Sequence, residues 1–167
     1  MKKHQNLFRD LQEDFRKMKK NLLVAQSGGP TAAINATLAG VIKQAIKEEQ
    51  IDQVYGACYG IQGVLEQKFV NLTEKVDTEE KLEKLKRTPA AALGSCRFKL
   101  NDIKEDDSQY QEIVDILHKM NIGYFVYIGG NDSMDTVAKL SAYCKEKGVE
   151  DIKVLVDQRR LIMTFAE

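Results

Sequence analysis

The sequence has few cysteines, and their positions argue against two common roles. Cys58, Cys96 and Cys144 lie far apart and are odd in number. This arrangement suggests no disulfide framework and shows no metal-ligand spacing. Free thiols are ordinary in a reducing cytoplasm, where cysteine packs as a small apolar side chain. We therefore expect a cytoplasmic protein and assign these cysteines no catalytic role.

Net charge and long apolar runs are also lacking. The 25 lysines and arginines balance the 25 aspartates and glutamates, so no global field favours nucleic acid or an anionic membrane. No apolar run approaches transmembrane length, and the N-terminus has no signal-peptide core. Repeats, low-complexity segments and Pro-rich linkers are absent. The 167 residues, 43% of them hydrophobic, suffice for one domain with its own core.

The apolar pattern that remains alternates between strands and helices. The predicted strands are NLLVAQ (21–26), QVYGACYG (53–60), AAALGSCRF (90–98), GYFVYI (123–128) and DIKVLV (151–156). Helices are predicted from Pro30 and Thr31 onwards, over 77–88, 108–120 and 133–147, with a turn or short helical piece at 60–65 and a stop at Gly148. This alternation predicts an α/β fold, a three-layer parallel sheet with helices on both faces.

Two of the predicted strands end in a glycine pair and continue into a helix. The two segments are AQSGGPTAAIN and YIGGNDSMDT. Glycine lets the backbone approach a ligand closely, and a helix start supplies unpaired N–H groups and a positive dipole end. In a parallel sheet, ligands bind outside the carboxyl ends of the strands. Two such turns at one edge can therefore cradle a polyphosphate.

Each turn also has a simpler interpretation. The first turn lacks the Gly-Lys-Ser/Thr ending of a P-loop and the glycine spacing of a dinucleotide site, so tight packing alone is its alternative. In the second turn, Asn131 or Asp132 could cap the following helix. Together with Asp135, however, they exceed what a cap needs. Hard oxygen ligands beside a phosphate cradle suit Mg²⁺.

The order of four segments gives a family resemblance. SGGPTAAINATLAGV, YGIQGVLE, LGSCRF and YIGGNDSMDTVAKLS together resemble the N-terminal half of the phosphofructokinase family, over about 21–154. The resemblance implies Mg²⁺-dependent phosphorylation of fructose 6-phosphate in glycolysis by a homo-oligomer, with the phosphoryl donor between the two turns. By resemblance, the donor-binding residues are Gly28, Gly29, Arg97, Gly129, Gly130, Asn131, Asp132 and Ser133. A solvated loop arginine is the alternative for Arg97.

The second turn also resembles one donor class of that family. ATP-using members typically carry Gly-Gly-Asp-Gly-Ser there, whereas this chain has Gly-Gly-Asn-Asp-Ser. The carboxylate of Asp132 resembles the pyrophosphate-dependent class, as does the Gly-Gly-Pro-Thr of the first turn. An anionic side chain there occupies the space and charge of the nucleotide's inner phosphate and so repels ATP. Asn131 replaces the usual metal-binding carboxylate, which moves the metal role towards Asp132. An ATP-dependent enzyme is the alternative.

The C-terminal residues depart from the family pattern. The family continues after this strand with Pro-Lys-Thr-Ile-Asp-Asn-Asp, which carries the catalytic base, but this chain reads DQRRLIMTFAE. Written as CCA AAG ACG ATT GAT AAT GAC and read one base later, that motif encodes Gln-Arg-Arg-Leu-Ile-Met-Thr, which is 158–164 residue for residue. We therefore expect a partial domain over 18–154, an out-of-frame tail over 155–167 and no catalytic residue in this chain. The chain itself is then an inactive, phosphate-binding fragment.

Residues 1–17 have two interpretations. Family members usually begin a few residues before the first strand, and Met18 fits that position. Gln12 to Asp14 can be encoded by CAGGAGGAT, which contains a bacterial ribosome-binding sequence, so 1–17 can be a translated leader. The alternative is a genuine helical extension, because Leu7, Leu11 and Phe15 have helical spacing.

The out-of-frame interpretation makes a prediction about the DNA. Resequencing around the Val154 codon should show that the frame one base earlier encodes Pro-Lys-Thr-Ile-Asp-Asn-Asp opposite Gln158 to Thr164. If no alternative frame encodes that motif, the tail is a real departure from the family and the interpretation is wrong.

Overall fold

The computed structural model describes residues 19–29 and 32–158. The predicted leader or extension at 1–17, the helix-start residues Pro30 and Thr31, and most of the predicted tail lie outside the described residues. In the described ranges, the strands are β1 Lys20–Gln26, β2 Ile51–Ala57, β3 Phe69–Asn71, β4 Ile122–Gly129 and β5 Lys153–Gln158. The helices are α1 Ala32–Ala45, α2 Gly60–Leu65, α3 Leu72–Lys75, α4 Glu79–Arg87, α5 Ser108–Lys119 and α6 Asn131–Glu146.

The five strands form one sheet in the order β3-β2-β1-β4-β5. The predicted α/β class is confirmed, and β1, β2, β4 and β5 run parallel. The edge strand β3 is the exception, since it pairs antiparallel with β2. Only the six-residue α2 and short turns separate β2 from β3. A parallel return needs a crossover of a dozen or more residues, so this short connection reverses the chain.

Helices cover both faces of the sheet and give three layers. Successive strand residues point to opposite faces. In β4, Phe125 and Tyr127 pack into a core with α2, α5 and α6. Val126 and Ile128 pack into a second core with α1, α3 and α4. Because both faces are buried, the central strands read as continuous apolar runs.

The predicted strand at 90–98 is wrong. Residues 88–107, all of which the structure describes, contain no strand. Ala90 and Gly94 adopt left-handed backbone conformations, with φ of 63° and 72°, and these interrupt an extended chain. Leu93 is buried, and its side chain occupies the space beside Gly56 where a Cβ would lie. The apolar residues that suggested a strand therefore anchor a loop.

Smaller differences have similar local causes. The sequence pattern missed β3 and α3, which have three and four residues and are too short to show a period. Helix α6 begins at Asn131, two residues before the predicted start at Ser133. Gly148 follows the C-cap residue Lys147 with φ of 69°, as expected of a helix stop.

The strand β5 extends through the first residues of the predicted out-of-frame tail. Leu155 and Val156 are exposed at 41% and 36%, whereas Asp157 is 3% exposed. The Oδ2 atom of Asp157 has no hydrogen-bond partner among the described residues, and burial raises the pKa of its carboxyl group. Leu155 and Val156 point to opposite faces of the sheet, and Leu155 shares its face with the buried Asp157. The out-of-frame interpretation of this segment stays a prediction.

No helix within the described ranges is both long enough and apolar enough to span a bilayer.

The amino ends of the strands are joined by an exposed charge cluster. Asp151 Oδ1 lies 3.0 Å from His118 Nε2, and its Oδ2 lies 3.6 Å from Lys20 Nζ. The hydrogen bond from His118 is the main cause that lowers the pKa of Asp151. The cluster therefore connects the start of β1, the end of α5 and the residues before β5.

This cluster predicts a small stability contribution that is lost in acid. The folded-state pKa of Asp151 lies below its unfolded value, so the carboxylate stabilises the fold above that value and the effect disappears as pH falls through the folded pKa. Because the pair is exposed, Asp151→Asn should lower the free energy of unfolding by less than about 1 kcal/mol near about pH 6. The difference from the parent chain should be smaller at a second pH below the unfolded-state pKa, where the carboxyl group takes up its proton.

Urea unfolding at both pH values measures this contribution. Asp52→Asn is the matched control, because Asp52 is exposed and has no ion pair among the residues that the structure describes. Equal effects of the two substitutions at the higher pH would show that the cluster adds nothing to stability.

Candidate phosphate-binding site

The first glycine turn lies directly beside the second. Gln26 pairs with Ile128 in the β1–β4 register. The next residue, Ser27, donates its backbone N–H to the Ile128 carbonyl at 2.8 Å. Gly28 then turns the chain with φ of 85°, a conformation that favours glycine. The two glycine turns therefore meet at the carboxyl edge of the sheet, as predicted.

The second turn starts α6 without a side-chain cap. Gly130 is the N-cap residue, and no side-chain hydrogen bond caps the helix there. Asn131 and Asp132 are the first two helical residues, and both are exposed. Neither residue serves as the cap, so the capping alternative for them is wrong. Asp132 instead places a negative charge in the first turn, where it faces the positive end of the helix dipole.

Ser133 contributes a buried hydroxyl at the start of the same helix. Its side chain is fully buried, and its Oγ has no hydrogen-bond partner among the described residues. A buried hydroxyl without a partner carries a desolvation penalty. A Cβ added to Gly129 would lie 1.9 Å from this Oγ and 3.0 Å from the Ser27 carbonyl oxygen. Glycine is therefore required at 129 for the two turns to approach so closely.

A loop over residues 93–99 contacts both the first glycine turn and the start of α6 through its side chains. Ser95 Oγ donates to the Gly28 carbonyl at 2.7 Å. At the far end of the loop, Lys99 Nζ lies 3.8 Å from Asp132 Oδ1, with both side chains largely exposed. Arg97 lies between these two contacts and is also exposed. The structure thus places Lys99 at the edge that carries the glycine turns, with Arg97 two residues before it in the same loop, and the phosphate role of Arg97 stays a prediction.

Tyr127, near the end of β4, contacts the segments around Ile61 and Cys96 beside the glycine turns. Its hydroxyl accepts a hydrogen bond from the Ile61 N–H at 3.2 Å. Burial is the main cause that raises the pKa of Tyr127 to about 12. A Cβ on Gly60 would lie 2.8 Å from this hydroxyl and 2.7 Å from Cys96 Sγ. Glycine is therefore required at position 60 for Tyr127 and Cys96 to pack this closely beside the site.

Sequence reasoning missed three contributors to this edge. Ser27, Ser95 and Lys99 form the contacts that join the turns and the loop. Ser27 and Ser95 each flank a glycine in a segment that the sequence analysis quoted, which was the available signal. No local pattern marks Lys99, because its partner Asp132 is distant in the chain.

The acidic residues at this edge suit a metal that is shared with a ligand. The described residues contain no group of three His, Cys, Asp or Glu side chains able to hold a metal ion. Asp135 is paired closely with Lys139 at 2.9 Å, whereas Asp132 makes only a longer and more exposed pair with Lys99 at 3.8 Å. The Asp132 carboxylate and the Asn131 amide are therefore the more accessible oxygen ligands. Mg²⁺ commonly binds one or two carboxylates together with substrate phosphates. The residues present therefore fit a metal that arrives with a phosphate ligand.

The fold defines a domain of the α/β class, and the two glycine turns at the carboxyl edge of its sheet form a candidate phosphate-binding site. The family model described as Phosphofructokinase matches residues 21–157. The chain belongs to the phosphofructokinase family.

Individual relatives agree with this assignment. The chain is 44% identical over 123 residues to the pyrophosphate–fructose 6-phosphate 1-phosphotransferase of Rhodospirillum rubrum, covering 74% of this chain and 29% of that protein. It is 32% identical over 122 residues to the ATP-dependent 6-phosphofructokinase 3 of Bacteroides thetaiotaomicron, covering 71% of this chain and 34% of that protein.

A solved structure gives the same result. The pyrophosphate-dependent phosphofructokinase of Nitrosospira multiformis superposes with a TM-score of 0.73 at 36% identity, covering 82% of this chain and 33% of that one. The chain thus spans about a third or less of the length of these relatives.

Because the two turns are in close contact, we predict that a single methyl group added at position 129 destabilises the fold. Gly129→Ala should lower the free energy of unfolding by at least about 1–3 kcal/mol, the usual cost of overpacking. Rotation of the Ser133 hydroxyl would relieve only one clash, because the new Cβ also lies 2.8 Å from Ser133 Cβ. Urea unfolding measures the effect.

The matched control is Gly40→Ala. Gly40 lies inside α1, and a Cβ added to it would have no neighbour within 4 Å. That substitution should stabilise the chain by about 0.5–1 kcal/mol, because alanine favours a helix over glycine. A Gly129→Ala variant as stable as the parent would show that the two turns are not in tight contact.

Proposed function

We propose that this chain forms the phosphoryl-donor part of the active site of a pyrophosphate-dependent phosphofructokinase. The reaction transfers a phosphoryl group from pyrophosphate to fructose 6-phosphate and gives fructose 1,6-bisphosphate in glycolysis. The single observation that carries the donor assignment is the Asp132 carboxylate in the first turn of α6, beside the two glycine turns. The higher identity to the Rhodospirillum relative than to the Bacteroides relative supports the same donor.

The groups around the edge suit a compact anion. The N–H groups at the start of α6 supply hydrogen-bond donors, and Lys99 and Arg97 supply positive charge. The Ser133 hydroxyl is fully buried beside Gly129 and would act from behind the turn. Gly28, Gly29, Gly129 and Gly130 leave the backbone open to close approach. Their combined role is to hold and orient the donor, since phosphoryl transfer depends chiefly on positioning and electrostatic stabilisation.

Asp132 would select between the two donors. Its exposed carboxylate stands at the mouth of a site that otherwise favours anions, and Lys99 lies 3.8 Å from it. A longer polyphosphate such as ATP would place an additional phosphate against this carboxylate. Like charges brought together in this way cost several kcal/mol, on the order of what donor selection needs.

The proposed cofactor is Mg²⁺, with Asp132 and Asn131 as the residues that would hold it. When bound, Mg²⁺ neutralises charge on the transferring phosphate. Without it, the chain's own contribution is the N–H groups, the cations of the loop and the carboxylate of Asp132. We further propose a cytoplasmic location and assembly into a homo-oligomer, in keeping with the family's glycolytic role.

Two other functions have some support. An ATP-dependent 6-phosphofructokinase is supported by the Bacteroides relative, at 32% identity. A phosphate-binding unit without catalysis is supported by the residues at 158–164, where the family resemblance expects the motif that carries the base. Donor binding is common to all three, so binding of the donor is the property to test first.

Replacing Asp132 tests the donor assignment. Asp132→Gly recreates the turn typical of ATP users and removes the carboxylate that is proposed to repel ATP. The ratio of the dissociation constants for pyrophosphate and ATP, measured by calorimetry with Mg²⁺ present, should shift by about tenfold or more towards ATP.

Asp135→Gly serves as the matched control. Asp135 lies on the same helix and pairs with Lys139. Its loss should leave the donor ratio unchanged while lowering helix stability by less than about 1 kcal/mol, from the poorer propensity of glycine and the lost ion pair. An unchanged ratio in Asp132→Gly would defeat the donor-selection role. If the parent chain binds neither donor, the proposed phosphate-binding function itself fails.

A further inference from the structure

A fully buried glutamine lies at the end of β1, directly before the first glycine turn. Gln26 has no exposed surface. Its Oε1 accepts a hydrogen bond from the Leu93 N–H at 2.9 Å. Its Nε2 donates to the Ile34 carbonyl at 3.2 Å and to Asn35 Oδ1 at 3.1 Å. This side chain therefore joins β1, α1 and the loop that follows α4.

Asn35 completes the connection from α1. It is also fully buried. Its Oδ1 accepts from the Ala92 N–H at 2.9 Å in addition to Gln26. Its Nδ2 donates to the carbonyls of Thr88, at 2.7 Å, and Ala90. An asparagine side chain can make four hydrogen bonds, two as donor and two as acceptor, and Asn35 makes all of them.

These bonds hold a loop that has no regular structure of its own. Between Thr88 and Arg97 the backbone passes through left-handed residues at Ala90 and Gly94 and has no strand ladder. Its buried polar groups must find partners elsewhere, and the amide pair Gln26–Asn35 supplies them. A buried network with every member satisfied rigidifies what it connects.

The loop so held is the one that reaches the glycine turns. Three residues beyond Ala92, Ser95 donates to the Gly28 carbonyl at 2.7 Å. Arg97 follows two residues later. The amide pair thus holds the start of the loop against β1 and α1, and Ser95 attaches the middle of the loop to the first turn. The position of Arg97 relative to both turns depends on these contacts.

We propose that Gln26 and Asn35 are positioning residues for the phosphate-binding edge, and that they act by holding the loop over residues 88–97 against the first glycine turn. They touch no ligand themselves. They reduce the number of conformations that the loop must lose when an anion binds, which increases affinity without a new contact. The inference rests on the proposed function, because the benefit is defined for a phosphate ligand.

Asn35→Asp tests the proposal with almost no change in shape. The carboxylate keeps both acceptor contacts but cannot donate to Thr88 and Ala90, and it faces their carbonyl oxygens instead. Binding of Mg²⁺–pyrophosphate, measured by calorimetry under conditions where the variant is folded, should weaken about tenfold, the effect expected for losing buried hydrogen-bond partners. In a ¹H–¹⁵N spectrum without ligand, the amide signals of Gly28 and Arg97 should shift.

The chain offers a matched control at the opposite edge of the sheet. Asn21 also uses both ends of its amide, since its Nδ2 donates to the Met120 carbonyl at 2.8 Å and its Oδ1 accepts from the Gln53 N–H at 3.1 Å. Asn21→Asp should lower stability in the same way. It should leave pyrophosphate affinity and the Gly28 and Arg97 signals unchanged.

A second variant decides the question if Asn35→Asp does not fold. Ser95→Ala removes only the bond to the Gly28 carbonyl and leaves the amide pair intact. It should weaken pyrophosphate binding by about threefold to tenfold, the range expected for one hydrogen bond. Unchanged affinity in this variant would overturn the proposal.

Calorimetry of pyrophosphate binding tests the proposed function, and the ¹H–¹⁵N spectrum without ligand tests this inference separately. If the parent chain does not bind pyrophosphate, the proposed function fails, and the unliganded spectrum still decides whether Asn35 positions the loop. Gly28 and Arg97 signals that move in Asn35→Asp but not in Asn21→Asp support positioning. Signals that stay in place, or that move equally in both variants, overturn it.

Discussion

The pairing of β1 with β4 is the constraint on which the rest of the structure depends. It extends one residue beyond the end of β1, through the hydrogen bond from the Ser27 N–H to the Ile128 carbonyl. The segments that follow β1 and β4 must then both turn within the same small space. Glycine at position 129 allows this close approach. The helix starts, the burial of the Ser133 hydroxyl and the attachment of the 93–99 loop all follow from that one close approach.

The charge arrangement at this edge is built from elements that are distant in sequence. Helix α6 brings Asp132, and the loop after α4 brings Lys99 and Arg97. The core residues of the sheet fix where these elements leave the fold, but the loop has no ladder and relies on buried amides. Regular structure thus sets the location of the site, whereas individual side-chain hydrogen bonds set its shape.

The sequence predicted the parts of the molecule that repeat a pattern. Long apolar periods identified four of the five described strands, and the glycine pairs marked the edge where β1 and β4 end. The false strand at 90–98 and the missed Lys99 have a common cause. Leu93 and Lys99 take their positions from partners far along the chain, at Gly56 and Asp132. Tertiary contacts of this kind leave no local period, and neither does a three-residue strand such as β3.

Tyr127 has a consequence for how the site responds to its surroundings. Its hydroxyl lies under the junction of the YGIQG segment and the Cys96 loop, and its pKa is raised to about 12. A phenol with that pKa keeps its proton throughout the range in which cells live. The Tyr127 hydroxyl therefore stays neutral across that range, and its hydrogen bond with the Ile61 N–H does not change with physiological pH.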